Sequence, residues 1–235
     1  GDHVVLIGNA LGERMQHHGW LESYAQAAMP DKELVFRNHG FGGDKVNNRP
    51  RNKGFPSADS YLEISKADVI LAFWGYNESF DDSADAYRAD LAKWVDDTKG
   101  KKYNGENAPR IVLFSPIAHE NLGQTNLPDG SANNARLAKY AEATRQVANE
   151  KGVEFVDLFG QSQELYARSK TPLTINGIHL TSRGNNQLAR GIHKSLYGKS
   201  PRVSRRRLDR IRDAVLDKNW HWYNRYRATD GNDVW

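Results

Sequence analysis

The sequence predicts an α/β protein, a three-layer α/β/α sandwich around a mostly parallel five-stranded sheet. Short apolar runs alternate along the chain with segments of helical periodicity, which is the pattern of βαβ units. The apolar runs contain few polar residues, as expected for parallel strands buried on both faces. The chain has 235 residues with 38% hydrophobic content. One domain of about 200 residues with a full core, plus an extension, is therefore expected.

The five predicted strands are short and apolar. The first covers residues 4–7 and is closed by Gly8. The second, at residues 33–38, follows a long helical segment. The others are expected at residues 69–74, 110–115 and 153–158. Apolar runs of this length, bounded by turn residues, are typical of buried strands.

Helical spacing of apolar residues predicts the elements between the strands. These helices are expected at residues 13–28, 83–99, 135–151 and 182–196, and Gly152 is expected to cap the third. Residues 40–57 and 119–134 are rich in polar and turn residues and predict long loops. Loops of this length in compact domains are often functional. Because sites in such sheets lie outside the carboxyl ends of the strands, these loops are candidate site elements.

A basic, aromatic-rich segment ends the chain. The boundary predicted near Gly198 divides the chain into a domain over residues 1–198 and an extension over residues 199–235. Residues 199–227 hold ten Lys and Arg against three acidic residues, whereas residues 1–198 hold 23 basic and 24 acidic residues. The net charge of +4 therefore belongs to the extension. Helical spacing predicts that it packs on the domain or links it to a further domain. No nucleic-acid motif accompanies it, so no nucleic-acid partner is expected.

Composition excludes several classes of site. The chain contains no cysteine, which rules out disulfides, thiolate metal sites and a cysteine nucleophile. No apolar run reaches the roughly 18 residues that a membrane span requires, and no secretory signal is visible. His17 and His18 are adjacent on a predicted helix and point about 100° apart, so they are not expected to share a metal. No metal or cofactor is predicted.

Four short motifs lie after predicted strands or before the last helix. They are Gly8-Asn9-Ala10-Leu11, Asn38-His39-Gly40-Phe41-Gly42-Gly43-Asp44, Gly75-Tyr76-Asn77-Glu78 and Asn176-Gly177-Ile178-His179-Leu180. In order and position they resemble the sequence blocks of the SGNH/GDSL hydrolase superfamily, whose first block reads Gly-Asp-Ser-Leu. The resemblance covers roughly residues 3–197. It implies the flavodoxin-like fold of that superfamily and a site for acyl transfer.

The resemblance also implies a catalytic set from which the nucleophile is missing. In the family a serine attacks a carbonyl, a histidine takes its proton, and an aspartate three residues before the histidine orients it. Carried over, His179 is the base, Asn176 stands at the aspartate position and Ala10 stands at the serine position. Alanine cannot attack, and an amide stabilises imidazolium poorly, so the usual acyl-enzyme route is not expected. Ser79 is the nearest substitute serine.

The family's oxyanion donors are retained. They correspond to the backbone N–H groups of Ala10 and Gly43 and to the side-chain amide of Asn77. Glu78 follows in the same motif, and two interpretations stay open for it. It either supports loop structure, as its counterpart in the family does, or acts as a general acid or base beside His179.

Five further polar residues are candidates for substrate binding: Asn9, Glu13, Arg14, Asp44 and His119. Arg14 would hold an anionic sugar group, or remain a solvated helix charge. Glu13 contacts substrate or forms an i,i+4 surface pair with His17. His119 follows the fourth strand on the site side of the sheet and is expected in the pocket. Asp44 is expected to cap or brace its glycine loop.

A closer resemblance concerns residues 8–17, 77–80, 115–120 and 218–220. These runs resemble the SGNH-like domain of large secreted multidomain proteins from planctomycete-type bacteria, in which dehydrogenase-like and c-type haem-binding domains follow. That subgroup also lacks the serine. The resemblance implies a secreted or periplasmic location, a carbohydrate or acylated sugar as substrate, and further domains in a larger polypeptide.

Two classes of function therefore stay open. The first is an atypical hydrolase of a carbohydrate ester or glycoside, in which His179, with or without Glu78, activates water in the space beside Ala10. The second is an inactive domain that binds a glycan for an attached redox domain. The retained base and oxyanion donors favour the first.

Overall fold

The computed structural model describes residues 1–81, 83–199 and 202–228, and it confirms the predicted α/β fold class. The strands are β1 (His3–Gly8), β2 (Val35–Asn38), β3 (Val69–Phe73), β4 (Arg110–Phe114) and β5 (Glu154–Val156). All neighbours pair in parallel, in the order β2-β1-β3-β4-β5. This is the doubly wound order in which ligands bind beyond the carboxyl ends of β1 and β3.

Eight α-helices belong to the described residues. They are α1 (Ala10–His18), α2 (Trp20–Ala28), α3 (Ala58–Ile64), α4 (Ala84–Lys99), α5 (Ser131–Lys151), α6 (Leu158–Arg168), α7 (Ser182–Tyr197) and α8 (Arg205–Ala228). A short 3₁₀ helix, Glu78–Phe80, follows β3. Within the described part of the chain, no helix is long and apolar enough to cross a bilayer.

Alternating residues of the strands pack on opposite faces of the sheet. Val4 and Leu6 of β1 join one cluster of buried residues, with side chains from α1, α2, α6, α7 and α8. Val5 and Ile7 join the other cluster, with side chains from α3, α4 and α5. Strand side chains alternate with a period of two, so fully apolar strands bury both faces. The result is the three-layer arrangement expected from the sequence.

The single helix predicted over residues 13–28 is wrong, because the chain forms two helices there. Gly19 separates them in the left-handed conformation, with φ of 69°, and its N–H donates to Met15 O at 2.9 Å. Glycine adopts this conformation without steric cost and so ends a helix. The first helix also begins earlier than predicted, because the Asn9 side chain caps it by accepting from Leu11 N at 3.2 Å.

Helix α6 was not predicted, and the fifth strand is shorter than expected. Asp157 ends the strand region and caps α6, with its side chain accepting from Gly160 N at 3.0 Å. The predicted strand therefore included the first residues of a helix. Helix α3 was likewise not predicted, and it follows the first long loop. Helix α5 begins at Ser131, four residues before the predicted start.

Helix α8 packs along α1, α2 and the edge strand β2. Lys218 donates to Glu22 at 2.7 Å and to Phe36 O at 3.0 Å. Trp222 Nε1 donates to Asn38 O at 2.8 Å, and Tyr226 OH donates to His39 O at 3.2 Å. These contacts tie the helix to the backbone that leads from β2 into the glycine-rich loop, residues 40–44. The proposed boundary at residue 198 stays a prediction.

Candidate active site

A cleft opens beyond the carboxyl ends of the central strands, with a cavity volume of about 260 Å³. Its polar side chains are those of Asn9, Arg14, Tyr76, Asn77, Ser115, His179 and Asn185. The small residues Ala10, Gly42 and Gly43 also line it. Its apolar lining comprises Leu11, Phe73, Trp74, Pro116, Ile117, Ile178 and Leu180. The cleft therefore brings together residues from all four sequence motifs.

The first motif places Ala10 at the start of α1. Gly8 has φ of 128°, and a Cβ there would come 2.1 Å from Phe73 O. Only glycine allows this close approach of β1 and β3. Asn9 N donates to Phe73 O at 3.1 Å, which fixes the turn. The methyl group of Ala10 lines the cleft, and its N–H, in the first helical turn, has no partner within the helix.

The glycine-rich loop supplies the second wall of the site. Gly43 lines the cleft with φ of 89°, a conformation that favours glycine. The loop is held against α1, since a Cβ on Gly40 would come 2.6 Å from Glu13 N. Asn77 Nδ2 donates to Asp44 O at 2.8 Å. The amide carries a second N–H, so Asn77 can both fix the loop and donate to a ligand.

His179 is positioned by the residue three places before it. The Asn176 side-chain oxygen accepts from His179 N at 3.0 Å and lies 3.1 Å from His179 Nδ1. Ile175 N also donates to His179 O at 2.8 Å, which closes the loop into a tight turn. Because Nδ1 is engaged, Nε2 is the ring nitrogen left to act as a base. Asn176 thus orients the imidazole but places no negative charge beside it.

The electrostatic environment of His179 favours the neutral imidazole. Burial, and next the positive charge of Arg14, lower the pKa of His179 from its ordinary value of 6.5. Arg14 lies four residues after Ala10 on α1 and lines the same cleft. At neutral pH His179 is therefore present as the free base, but as a weaker base than an unperturbed histidine.

We expect the substitution Arg14→Gln to raise the pKa of His179, because it removes the second-largest cause of the lowering. The value should stay below 6.5, since burial remains. The pKa of His18, which burial and then Arg14 lower to about 4, should rise as well. A titration of the imidazole resonances by NMR measures the pKa values of His179, His18 and His39 together. His39 is the internal control, because burial and Arg37 lower its pKa to about 3. An unchanged pKa of His179 in the variant would contradict the conclusion that Arg14 lowers it.

Glu120 holds the loop that carries His179, a role that sequence reasoning missed. This buried carboxylate accepts from Leu173 N at 3.0 Å, from Thr174 N at 2.7 Å and from Thr174 Oγ1 at 2.6 Å. Its backbone N–H donates to Gly177 O at 2.8 Å. The available signal was a carboxylate directly after the fourth strand, and only the folded chain shows its partners.

His119, expected in the pocket, is not among the residues that line the cleft. It is 4% exposed and lies beneath the His179 loop, where a Cβ on Gly177 would come 2.2 Å from its Nε2. Its backbone N–H donates to Asn134 Oδ1 at 2.7 Å, and Asn133 Nδ2 lies 2.9 Å from its ring Nδ1. His119 follows β4 on the site side of the sheet, but Gly130 and the loop that carries His179 cover its side chain.

Three predicted acidic residues are likewise not among those that line the cleft. Glu78 is buried and accepts from Val46 N and Gly75 N, both at 2.8 Å, while burial raises its pKa. Asp44 forms a bidentate pair with Arg51 at 2.8 and 2.7 Å. Glu13 lies against the glycine-rich loop, with its carboxylate 3.1 Å from a Cβ built on Gly42. All three contact the loops that frame the site.

His17 lies apart from the cleft, on the side of α1 that faces α8. Its ring centroid is 5.1 Å from that of Tyr223. Neither Glu13 nor His17 is among the described residues that line the cleft, and the substrate contact of Glu13 stays a prediction. In the part of the chain that the structure describes, no group of three or more His, Asp or Glu could hold a metal ion.

Neither nearby serine is placed to replace the missing nucleophile. Ser79 is fully buried, and its hydroxyl donates to Tyr76 O at 2.7 Å. Ser115 does line the cleft, but its hydroxyl accepts from Leu158 N at 2.8 Å and from Phe159 N at 2.9 Å. It also donates to Asp157 at 3.2 Å. Both hydroxyls serve loop and helix structure.

The fold and the cleft define a domain of the SGNH hydrolase class. The family model described as the GDSL-like lipase/acylhydrolase family matches residues 9–187, and the chain belongs to that family. No curated protein matches the chain significantly.

Similar solved structures share the fold. The acetylxylan esterase Axe2 from Geobacillus stearothermophilus aligns with a TM-score of 0.64 and 19% identity, covering 87% of this chain and 98% of its own. A catalytic mutant of that enzyme with alanine in place of a serine aligns with a TM-score of 0.65, at the same identity and coverage. A gut microbial diltiazem-metabolizing enzyme aligns at 20% identity with a TM-score of 0.60, covering 83% of this chain and 46% of its own.

Proposed function

We propose that this domain hydrolyses an ester of a carbohydrate, with His179 activating water directly. The observation that carries the proposal is that His179, Asn77 and Gly43 line the same cleft as the methyl group of Ala10. A base and donors for a developing oxyanion are thus combined at one place. Two elements of the family chemistry are missing, since Ala10 stands in place of the serine and Asn176 in place of the aspartate.

In the proposed reaction, water takes the position beside Ala10 that a serine oxygen would occupy. His179 Nε2 accepts a proton as the water oxygen bonds to the acyl carbon. The N–H groups of Ala10, Gly43 and Asn77 stabilise the oxyanion. The bond to the sugar oxygen then breaks, and the imidazolium returns its proton to that oxygen, giving a carboxylic acid and a free sugar hydroxyl. A positioned base contributes roughly 10² to 10⁴ in rate, so turnover should be slow.

A carbohydrate ester is supported by the similar structures and by the rim of the cleft. Axe2 is an acetylxylan esterase, and catalytic mutants of it replace a serine, an aspartate and a histidine. In Axe2 the aspartate precedes the histidine by three positions. Asn176 and His179 have the same spacing. Phe80 is 60% exposed, and its ring centroid lies 5.6 Å from that of Tyr76, a half-buried residue that lines the cleft. An exposed aromatic side chain beside a cleft is suited to the apolar face of a ligand.

The second candidate is a domain that binds a glycan without turnover. The observation that favours it is the environment of His179. Asn176 supplies no negative charge, and Arg14 lowers the pKa of the imidazole. Both disfavour the imidazolium that proton transfer would create. A secreted or periplasmic location, and service to further domains of a larger polypeptide, belong to either proposal.

The substitution His179→Ala separates the two candidates. If the domain is a hydrolase, the unsubstituted protein should hydrolyse acetylated xylo-oligosaccharides. His179→Ala should lower that rate by at least about 10²-fold, because the base is lost. The matched control is His221→Ala, a histidine 68% exposed on α8, which should leave turnover unchanged. Released acetate is the measurement. Absence of turnover in the unsubstituted protein, with glycan binding that survives His179→Ala, would reject the hydrolase and support the binding domain.

A further inference from the structure

We propose that Arg14 selects carbohydrates that carry a carboxylate, as in a uronic acid residue. The inference rests on the proposed function, in that the cleft is taken as the sugar site. It adds the chemical class of the ligand and the residue that recognises it.

Arg14 is the unusual side chain of the cleft. It extends from α1 one turn after Ala10, and its Nε atom is buried without a hydrogen-bond partner among the described residues. Other arginines near the loops are engaged, since Arg51 pairs with Asp44 and Arg49 donates to Val46 O at 3.1 Å. No hydrogen bond or ion pair joins the Arg14 side chain to another described residue, and the side chain lines the cleft. The terminal nitrogens of the guanidinium are therefore placed to meet an acceptor from outside the chain.

The rest of the cleft is complementary to an anion. Among the described residues that line it, Arg14 is the one Lys or Arg, and no Asp or Glu occurs. The family's aspartate position holds Asn176, which is neutral, and the nearby acids Asp44 and Glu78 are turned to partners elsewhere. A guanidinium presents a planar fork of donors that matches the two oxygens of a carboxylate. A ligand carboxylate would thus satisfy Arg14 without competition from an acid of the protein.

The position of Arg14 also couples ligand charge to His179. Arg14 is the charged group that lowers the pKa of His179, after burial, and Asn176 contributes no charge. A carboxylate bound to Arg14 would offset that positive charge. Binding of an acidic sugar is therefore expected to raise the pKa of His179 and make it a stronger base. A neutral sugar would not have this effect.

The test is calorimetry at low salt with trigalacturonic acid, its methyl ester and a sulfated galactose trisaccharide. We expect the acid to bind about 10- to 100-fold more tightly than the methyl ester, and Arg14→Gln to abolish that preference. Arg14→Lys should retain only part of it, because the charge remains and the fork is lost. The matched control is Arg205→Gln, whose side chain is 94% exposed on α8. NMR spectra establish that the variants are folded, and trigalacturonic acid should raise the pKa of His179.

The outcomes distinguish this inference from the proposed hydrolase. Equal binding of acid and methyl ester, or a preference that Arg14→Gln leaves intact, would overturn the inference even if esters are hydrolysed. A stronger preference for the sulfated trisaccharide would overturn the assignment to a carboxylate. Selective binding of the acid through Arg14, without turnover of any ester, would reject the hydrolase and support the inference.

Discussion

The double substitution Ala10→Ser with Asn176→Asp is expected to raise esterase kcat/KM on acetylated xylo-oligosaccharides by about 10⁴-fold. The serine provides a nucleophile at the position where the cleft already offers His179, Asn77 and Gly43. The aspartate stabilises the imidazolium that forms when His179 takes the serine proton. In a comparable triad, replacing that acid by its amide lowers kcat about 10⁴-fold.

The single substitutions are the controls for this gain. Ala10→Ser alone should give little activity, because Asn176 leaves the imidazolium without a negative partner. Asn176→Asp alone should raise the pKa of His179, but it adds no nucleophile and should not reach the gain of the double variant. Residues of a triad act as a unit, so the double variant should exceed the product of the two single gains. A folded double variant no more active than the unsubstituted protein would show that the cleft does not hold an ester productively.

Glu120→Ala is expected to lower the free energy of unfolding by roughly 3 to 5 kcal/mol, because three buried donors lose their acceptor at about 1 to 3 kcal/mol each. The carboxylate is buried and accepts from the backbone of Leu173 and Thr174 and from the Thr174 hydroxyl. Its removal leaves those donors unsatisfied beneath the loop that carries His179. Chemical denaturation followed by circular dichroism measures the change.

The matched control is Glu150→Ala, at a carboxylate that is 46% exposed and paired with Arg88 on the surface. This change should cost no more than about 1 kcal/mol. Glu120→Gln should lie between the two, because it keeps one acceptor oxygen. A loss for Glu120→Ala that equals the control would show that Glu120 does not hold the loop.

The sheet could be predicted from the sequence because apolar runs such as residues 69–74 leave no polar face for solvent. Helix ends were less predictable, because a single residue decides them. Gly19 looked like an ordinary position in an amphipathic pattern, and Asp157 looked like part of a strand. Their capping roles depend on backbone angles and hydrogen bonds that periodicity does not report.

The sequence by itself determined the family, the sheet and the position of Ala10 where a nucleophile is expected, because these depend on residue type and on order along the chain. Only the tertiary structure decided which polar side chains face the cleft. His119 and Glu78 turn inward to neighbouring loops, whereas Arg14 enters the cleft without a partner for Nε. The direction of a polar side chain depends on donors and acceptors that distant segments bring to it, and those meet only when the chain is folded.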